Sequence, residues 1–420
     1  MATATRTDSL APVVRLPVPR RPVVQRISIP SISSVAGADS LALGAITLFL
    51  VVFGLVMVLS SSSVEAGVAG NPYGDFTTQA VAAFVGIPLM LAIGTRLSTA
   101  VLPRVAGWIF GGAVLLQLVT ALTPLGTSVG GNQNWIRLGS ISVQPSEFVK
   151  VGLVLMLATF FSRRPGERLG LVALLPVFAF SGLAIGSVYL GGDLGTSLIL
   201  CLIVLGALWF GAVRLRVLLL PGAVGAGGLW LLAQMNGSRT GRIAAWSEGC
   251  VSDILSTHCW QTTQAKWALA NGGLTGVGIG NSVSKWFWLP EADNDFIAAV
   301  IGEETGLLGL LVLLACFVAL AVVLLRISTG TKDRFTRVAG GMLLAWLVGQ
   351  AFANIAVVVG VAPVFGVPLP FVSAGGSSLL ANLVAVGFVM ALVDRPVTGG
   401  PRPAVSSDHP AARGGAVRRP

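Results

Sequence analysis

The sequence predicts an all-α, polytopic membrane protein with about ten transmembrane helices. Hydrophobic residues make up 54% of the 420 residues and charged residues only 10%, and the mean hydropathy is +0.85. Soluble domains carry about 25% charged residues, so this composition is far from theirs. The apolar stretches are each near the ~20 residues that a helix needs to cross the hydrocarbon core of a bilayer.

The apolar stretches follow one another closely, and only the two tails and one loop are long and polar. We therefore expect one integral membrane domain from 43 to 393. Its candidate spans are 43–61, 77–95, 103–123, 147–162, 170–190, 194–211, 215–234, 305–325, 336–360 and 371–393.

The net charge of +10 reflects topology better than nucleic-acid binding. The basic residues lie between apolar segments and form no continuous stripe with interleaved aromatic residues. Alternate loops hold the excess of Lys and Arg, as the positive-inside rule expects of cytoplasmic loops. Both termini are therefore expected in the cytoplasm, and the loops 124–146 and 235–295 are expected on the outer face.

The two tails, 1–42 and 394–420, are rich in Pro, Gly and Arg and are expected to be disordered cytoplasmic arms. The first 40 residues contain no short apolar region followed by a small-residue cleavage site. The first transmembrane helix is therefore expected to act as the insertion signal.

Two cysteines, Cys250 and Cys259, fall in the long outer loop. Because the outer compartment is oxidising, a disulfide that closes a small loop is expected there. A protein-held metal site is disfavoured, since His258 is the only histidine nearby.

The start of the fourth span places charges at membrane depth. Pro145 and Ser146 suit a helix start, with the serine as a candidate cap. Glu147 and Lys150 share one helix face at i,i+3, and Lys150 is expected below the outer headgroups. The pair either holds helices together or lines a substrate cavity, and its depth in the membrane favours the cavity.

Two Gly- and Ser-rich segments precede later spans. Asp193 either caps the sixth helix or contacts a ligand, and a helix N-terminus there is able to bind an anion. The segment 368–378 permits close backbone approach, which is typical of phosphate binding or of tight helix packing. Its candidate residues are Ser373, Gly375, Gly376 and Ser377.

Asp295 opens the helix that leads into the eighth span. It is expected at or above the outer interface, either as an N-cap shared with Asp293 or Asn294 or as a chemically active carboxylate. Further along, Glu303 and Glu304 are candidate ligands or helix contacts. The loop cations, which include Arg242 and Lys285, are expected to attract anionic lipid phosphates.

Five ordered motifs resemble the SEDS family of bacterial cell-wall polymerases, and within it the FtsW branch more than the RodA branch. The resemblance extends from about residue 40 to residue 393. Its motifs are LVMVLSSSSVEA (55–66), NWIRLGSISVQPSEFVK (134–150), GDLGTSLIL (192–200), GGLTGVGIGNSVSKWFWLPEADNDFIAAVIGEETGLLG (272–309) and LPFVSAGGSSLLANL (369–383).

The resemblance implies the SEDS fold and an enzyme that polymerises lipid II into glycan strands, with release of undecaprenyl pyrophosphate. The family's essential aspartate maps onto Asp295, and its Glu and Lys of the fourth span map onto Glu147 and Lys150. Gly192 stands where the family usually has proline, and the outer loop lacks the family's Asp-Pro pattern. These departures concern the conformation of the loops.

The expected mechanism is an inverting transfer in which Asp295 accepts a proton from the acceptor hydroxyl. Cations are expected to assist the leaving pyrophosphate, namely a divalent metal (Mg²⁺ or Mn²⁺) or one of Arg137, Arg242 and Lys285. The residues expected to shape the substrate site are Gln144, Ser146, Glu147, Lys150, Asp193, Ser373, Gly375, Gly376 and Ser377.

The resemblance also implies partners and a location. A class B penicillin-binding protein with transpeptidase activity and other division proteins are the expected partners, at the division septum. Three other roles stay open: a RodA-type elongation polymerase, a lipid II flippase, and a noncatalytic scaffold for the transpeptidase. Transport predicts decisive polar groups near the midplane and broken helices in repeated halves, whereas the polar motifs here lie mainly on the outer side and no internal repeat is evident.

Overall fold

A computed structural model describes residues 37–395 of the protein, with gaps at 69, 72, 130, 140, 165–168 and 251–256 and at most positions of 215–236. The described residues belong to one compact unit, Ile32–Pro420. Most of the two predicted arms, namely residues 1–36 and 396–420, lies outside the described residues.

Helices dominate the described chain, as the apolar pattern predicts. They are α1 (Ala38–Val68), α2 (Gly74–Arg96), α3 (Leu102–Leu122), α4 (Pro145–Ser162), α5 (Leu175–Leu190), α6 (Leu194–Phe210), α7 (Gly237–Glu248), α8 (Thr257–Gly272), α9 (Ile297–Gly330), α10 (Arg334–Val358) and α11 (Gly376–Asp394).

Eight of these helices are long and apolar enough to cross a membrane, and α6 is a ninth, shorter apolar helix. More than half of the predicted span at 215–234 lies outside the described residues. The protein is thus a multi-pass membrane protein, and the count of about ten spans is approximate.

Helix α1 runs beyond the predicted 43–61 in both directions. At its polar end, serine hydroxyls find partners within the helix by donating to carbonyls one turn earlier, as in the bond from Ser62 Oγ to the Val58 carbonyl at 2.7 Å. At its start, Asp39 forms an ion pair of 3.3 Å with Arg326 of α9. At the opposite, serine-rich end, Ser60 Oγ accepts from Lys285 Nζ of the outer loop at 3.2 Å.

Helix α9 is broken at Gly306, where φ is 67° and ψ is −168°. The loop 273–278 lies in the break. The amides of Val277 and Gly278 donate to the carbonyls of Glu303 and Glu304, each at 3.0 Å. Within a membrane, a helix break must have its backbone groups satisfied by protein, and this loop does so.

The other side of the break is satisfied in the same way. The amides of Leu307 and Leu308 donate to the carbonyls of Gly273 and Leu274 at 2.9 and 3.2 Å. An added Cβ at Gly306 would lie 2.4 Å from the Gly276 amide nitrogen. This position therefore requires glycine, for both its space and its positive φ.

The loop 124–144 forms a small antiparallel sheet that the all-α prediction omitted. Its strands β1 (Gly126–Val129), β2 (Asn132–Leu138) and β3 (Ile141–Val143) lie in the order β1-β2-β3. The amide of Gln133 in β2 donates to the Gly191 carbonyl at 2.8 Å. The sheet is thereby fixed to the turn between α5 and α6.

The long outer loop predicted at 235–295 contains the helices α7 and α8. Helix α8 packs along α9, and its indole Trp260 Nε1 donates to the Trp288 carbonyl at 2.8 Å. The aromatic residues Trp286, Phe287 and Trp288 are exposed, as expected of side chains at headgroup level.

The core of the bundle is formed mainly by α4, α10 and α11, which are the most buried of the long helices, whereas α2, α3 and α5 expose most of their apolar surface. Exposed apolar side chains such as Phe84 and Trp108 have the environment expected for contact with lipid. Asp295 lies at the end of the outer loop, directly before α9.

Candidate active site

Asp295 precedes α9, and neighbouring segments hold its backbone in place. Its carbonyl oxygen accepts a hydrogen bond of 2.7 Å from Asn354 Nδ2 of α10, which also donates to the Val367 carbonyl at 2.7 Å. An added Cβ at Gly366 would lie 3.5 Å from Asp295 Oδ2. The side chain is half-buried, and no group among the described residues donates a hydrogen bond to its carboxylate. The backbone of Asp295 is thus fixed in position, and its carboxylate is available to a bound molecule.

The alternative proposed for this aspartate, an N-cap shared with Asp293 or Asn294, is wrong. The N-cap position of α9 is Phe296, and no side chain caps the helix. Instead, the Asp293 carbonyl accepts from the Ala374 amide at 2.9 Å, and the Asn294 carbonyl accepts from Ser373 Oγ at 2.7 Å. The predicted ligand Ser373 therefore fastens the loop before α9 to the segment before α11.

The surroundings of Asp295 favour its protonated form. The pKa of Asp295 is raised to about 7, mainly because the protein around it excludes water and further because the carboxylates of Glu291 and Asp193 lie nearby; the guanidinium of Arg242 acts in the opposite direction. The pKa of Asp293 is likewise raised to about 7, mainly by burial. A carboxyl group with a pKa near neutral pH is suited to general-base catalysis.

Two of the predicted cations are at least partly exposed. Arg242 is partly exposed on α7, and its charge acts on Asp295. Arg137 is exposed on β2. Strand β2 is attached to the turn before α6 through Gln133, so Arg137 lies at the same end of the bundle as Asp193, whose charge acts on Asp295.

Glu147 and Lys150 form the predicted pair, at 2.8 Å between Lys150 Nζ and Glu147 Oε2. Glu147 is 2% exposed and Lys150 is 1% exposed. The ammonium group also contacts Gln350 Oε1 at 3.4 Å and lies 4.8 Å from the centre of the Trp346 ring. The pair therefore joins α4 to α10 inside the bundle, which matches the ion-pair interpretation more closely than an open cavity wall.

Gln144 and Asp193 join the starts of α4 and α6. Asp193 caps α6 by accepting from the Thr196 amide at 2.8 Å and also accepts from Gln144 Nε2 at 3.2 Å. Burial is the largest cause that raises the pKa of Asp193. The Gln144 amide donates to Ser377 Oγ at 3.2 Å. The predicted Ser146 cap is wrong, because this buried hydroxyl has no hydrogen-bond partner among the described residues.

Gly375 and Gly376 fit the packing interpretation of their segment. The Gly375 amide donates to Gln79 Oε1 of α2 at 3.0 Å. An added Cβ at Gly376 would lie 3.3 Å from Thr78 Cγ2. The glycines therefore let α11 approach α2 closely, and the amide of Gly375 is already occupied.

Lys285 lies in a buried network of hydrogen bonds and not at the surface, where a lysine that binds phosphate was expected. It is 6% exposed, and its ammonium group pairs with Glu304 at 3.3 Å. It also donates to Ser60 Oγ at 3.2 Å and to the Gly280 carbonyl at 2.7 Å. Lys285 thus connects α1, α9 and the outer loop, and these contacts favour a positioning role over the predicted role as a leaving-group cation.

The neighbouring carboxylate of Glu303 holds the same loop. It accepts from Ser282 Oγ at 2.5 Å, from Asn271 Nδ2 at 2.8 Å and from the Ser284 amide at 3.2 Å. Glu303 and Glu304 are both 1% exposed. They are therefore internal contacts of the loop that leads to Asp295, not ligands for a soluble group.

The sulfur atoms of Cys250 and Cys259 are bonded to each other across nine positions. The bond connects the end of α7, which carries Arg242, to α8, which packs on α9. A loop of this size restricts the unfolded chain by about 2–3 kcal/mol. The disulfide therefore helps to fix α7 close to the site.

Three polar residues that contact these segments were not singled out from the sequence: Gln79 of α2 and Gln350 and Asn354 of α10. All three are buried, and each donates to the 367–373 segment. A signal for them was present, because amide side chains inside predicted spans are expected to make interhelical hydrogen bonds.

The described residues contain no group of three or more His, Cys, Asp or Glu side chains arranged to hold a metal ion. Mg²⁺ commonly binds through one or two carboxylates together with waters and substrate phosphates. The carboxylates near Asp295 could therefore supply one or two ligands of such a cation, and water and substrate phosphates would have to supply the others.

Comparison with known proteins places the chain in a family. The family model described as FtsW, RodA and SpoVE, cell cycle protein, matches residues 41–396. A relative from Coxiella burnetii, named probable peptidoglycan glycosyltransferase FtsW, is 34% identical over 82% of this chain and 93% of its own length. The Mycobacterium tuberculosis protein of the same name is 34% identical, and the match covers 82% of this chain but 66% of that protein.

Solved structures share the fold. One is a chain from a study titled "Structural coordination of polymerization and crosslinking by a peptidoglycan synthase complex"; it has a TM-score of 0.66 and 25% identity, over 84% of this chain and 96% of that chain. The rod shape determining protein RodA of Thermus thermophilus has a TM-score of 0.60 at 24% identity, over 84% and 95%. On this evidence the chain belongs to the FtsW/RodA/SpoVE family of cell cycle proteins.

Proposed function

We propose that this protein is a peptidoglycan glycosyltransferase of the FtsW type, which polymerises lipid II into glycan strands. The observation that carries the proposal is the Asp295 carboxylate, which is fixed by its backbone, half-buried and free of protein hydrogen-bond donors among the described residues. Its pKa of about 7 suits a base. The names of the relatives supply the substrate class.

The proposed reaction is a displacement at the anomeric carbon. Asp295 accepts the proton of the GlcNAc 4-hydroxyl of the acceptor lipid II, and this oxygen forms a bond to C1 of the MurNAc at the lipid-linked end of the strand. The bond from C1 to the pyrophosphate oxygen breaks, and undecaprenyl pyrophosphate leaves with the electron pair. A single displacement inverts the configuration at C1.

Arg242 and Arg137 are the cations proposed to stabilise the leaving pyrophosphate. Arg242 acts on the charge of Asp295 and is partly exposed, so an anionic group beside it lies near the reacting centre. A divalent cation, Mg²⁺ or Mn²⁺, would supply further charge neutralisation when bound with the substrate phosphates. The protein's part of the mechanism is the fixed base and the arginines.

We place the site on the outer face of the cell membrane, with both termini in the cytoplasm, at the division septum. The excess of basic residues in alternate loops supports this orientation. The proposed partners are a class B penicillin-binding protein, which would crosslink the new strands, and other division proteins. The similarity to a chain of a peptidoglycan synthase complex supports the first of these partners.

A lipid II flippase is the second candidate function, and the break of α9 at Gly306 is the observation that favours it, because transporters use discontinuous helices. The test is to supply the purified full-length protein with lipid II in liposomes, with and without the transpeptidase. Glycan product supports the polymerase, translocation without product supports the flippase, and partner binding alone supports a scaffold.

The rate of polymerisation is expected to rise with pH through a midpoint near 7, because only the ionised form of Asp295 accepts a proton. Glu291→Gln removes a negative charge, so the midpoint should move to lower pH. Arg242→Gln removes a positive charge, so it should move to higher pH. Each shift is expected to be about half a unit to one unit.

The measurement is the initial rate of glycan formation from lipid II between pH 5.5 and about 9 at saturating substrate. Saturation separates the shift in midpoint from any loss of substrate affinity in the Arg242 variant. Two variants whose midpoints move in the same direction, or do not move, would contradict Asp295 as the titrating base.

A further inference from the structure

A cavity of about 480 Å³ lies at the end of the bundle opposite Asp295, where α3 begins, α4 ends and α5 begins. Helix α4 starts beside the Asp193 cap and runs for 18 residues, or about 27 Å at 1.5 Å per residue. The cavity is therefore remote from the glycosyl-transfer site. Its volume falls within the ~300–1,000 Å³ of small-molecule sites.

Three arginines are among the described residues that line this cavity: Arg104, Arg163 and Arg164. Arg163 donates to the Pro103 carbonyl at 3.4 Å, and Arg164 donates to the Ala173 carbonyl at 2.9 Å. Each guanidinium has five N–H groups, so most of their donors remain available. Arg104 is exposed, and the lining formed by described residues, which excludes 165–168, contains no acidic residue.

The remaining wall of the cavity is apolar. It includes Met156, Phe160 and Phe180, and the guanidinium of Arg164 lies 4.4 Å from the centre of the Phe160 ring. An added Cβ at Gly107 would meet nothing within 4 Å, so the α3 side of the slot is open. The neighbouring Trp108 is 84% exposed, as expected of an indole at a membrane interface.

We propose that this cavity is a binding site for an anionic glycerophospholipid. The phosphate would accept hydrogen bonds from Arg104 and Arg163, and the first part of an acyl chain would lie in the slot along Gly107, Met156 and Phe180. Basic pockets between transmembrane helices on the basic side of a membrane protein are suited to anionic headgroups. The lipid would bridge α3, α4 and α5 at their shared end.

The combination of charge and apolar wall selects the ligand class. A soluble phosphate would satisfy the arginines and leave the slot without a partner. A zwitterionic lipid would fill the slot, but its ammonium group would lie among three arginines, and no carboxylate among the described lining residues offsets their charge. A lipid with a net negative headgroup satisfies both parts of the site.

The test is native mass spectrometry of the delipidated full-length protein, titrated with phosphatidylglycerol or with phosphatidylcholine of the same acyl chains. We expect phosphatidylglycerol to bind about tenfold more tightly. The double variant Arg104→Gln/Arg163→Gln should lose this preference. Arg96→Gln, which removes an exposed arginine outside the cavity, should keep it and is the matched control.

Gly107→Leu fills the slot and leaves every arginine in place, so it should weaken phosphatidylglycerol binding by about tenfold. Unchanged thermal unfolding of the variants shows that they are folded, as expected for substitutions at exposed positions. Equal binding of the two lipids, an unchanged preference in the double variant, unchanged binding in Gly107→Leu, or competition by glycerol phosphate at equal concentration would overturn the proposal.

Discussion

Replacing Asp295 with Asn is expected to lower the rate of lipid II polymerisation by about 10²–10⁴-fold, the usual contribution of a general base. Asn has nearly the same shape, and the Asp295 backbone contact to Asn354 is unaffected by the change. The variant should therefore fold and bind lipid II while failing to accept the proton. The measurement is single-turnover glycan formation at saturating lipid II, together with lipid II binding.

Asp293→Asn is the matched control, because this neighbouring carboxylate also has a raised pKa and is held through its backbone carbonyl. It is expected to keep the rate within a few-fold and to move the pH midpoint downward, since a like charge near Asp295 is removed. A fully active Asp295→Asn protein, or an Asp293→Asn protein that loses as much activity, would contradict the assignment of Asp295 as the base.

The helical framework of the protein was predictable because it depends on local patterns. An apolar segment of span length specifies a transmembrane helix. An Asp with Thr three residues later specifies a helix N-cap, and a Glu–Lys pair at i,i+3 specifies a contact on one helix face. The observed helices, the cap of Asp193 on Thr196 and the pair of Glu147 with Lys150 follow these patterns.

The positioning of the site was not predictable in the same way. Ser60 and Lys285 lie 225 positions apart in the chain, yet their side chains are 3.2 Å apart. The sequence around Gly306 reads as a continuous helix, and only the loop 273–278 lying against it makes a break possible. Such contacts depend on tertiary packing between segments that are distant in the chain, so no short stretch of the sequence predicts them.

The small sheet is a different case, because the sequence of 126–143 contains a pattern that is typical of β-hairpins. Gly131 precedes β2, the strand that contains Trp135 and Ile136, and Gly139 lies in the turn between β2 and β3. Short β-branched and aromatic runs between glycines indicate hairpins. The high hydropathy of the flanking spans favoured an all-α interpretation, although the segment itself is polar.

Replacing Lys285 with Met is expected to lower the free energy of unfolding by about 3–5 kcal/mol, the usual cost of removing one partner of a buried ion pair. Glu304, which is 1% exposed, would keep its charge without a cation. The double variant Lys285→Met/Glu304→Gln removes both charges and should recover at least half of this loss. The measurement is thermal or denaturant unfolding of the full-length protein in detergent.

The same variants decide between two roles for Lys285. If the ammonium group binds the leaving pyrophosphate, Lys285→Met should raise KM and the double variant should not recover activity. If it positions the loop before α9, as its contacts with Ser60 and Gly280 indicate, kcat should fall more than KM rises and the double variant should recover part of it. Lys266→Met, at an exposed position of α8, is the matched control and should change neither stability nor kcat.

A general base has to lie within about 3 Å of the hydroxyl whose proton it accepts. Even a small shift of the loop before α9 would therefore move Asp295 away from the acceptor hydroxyl. For this reason Lys285 is expected to affect kcat without contacting the substrate.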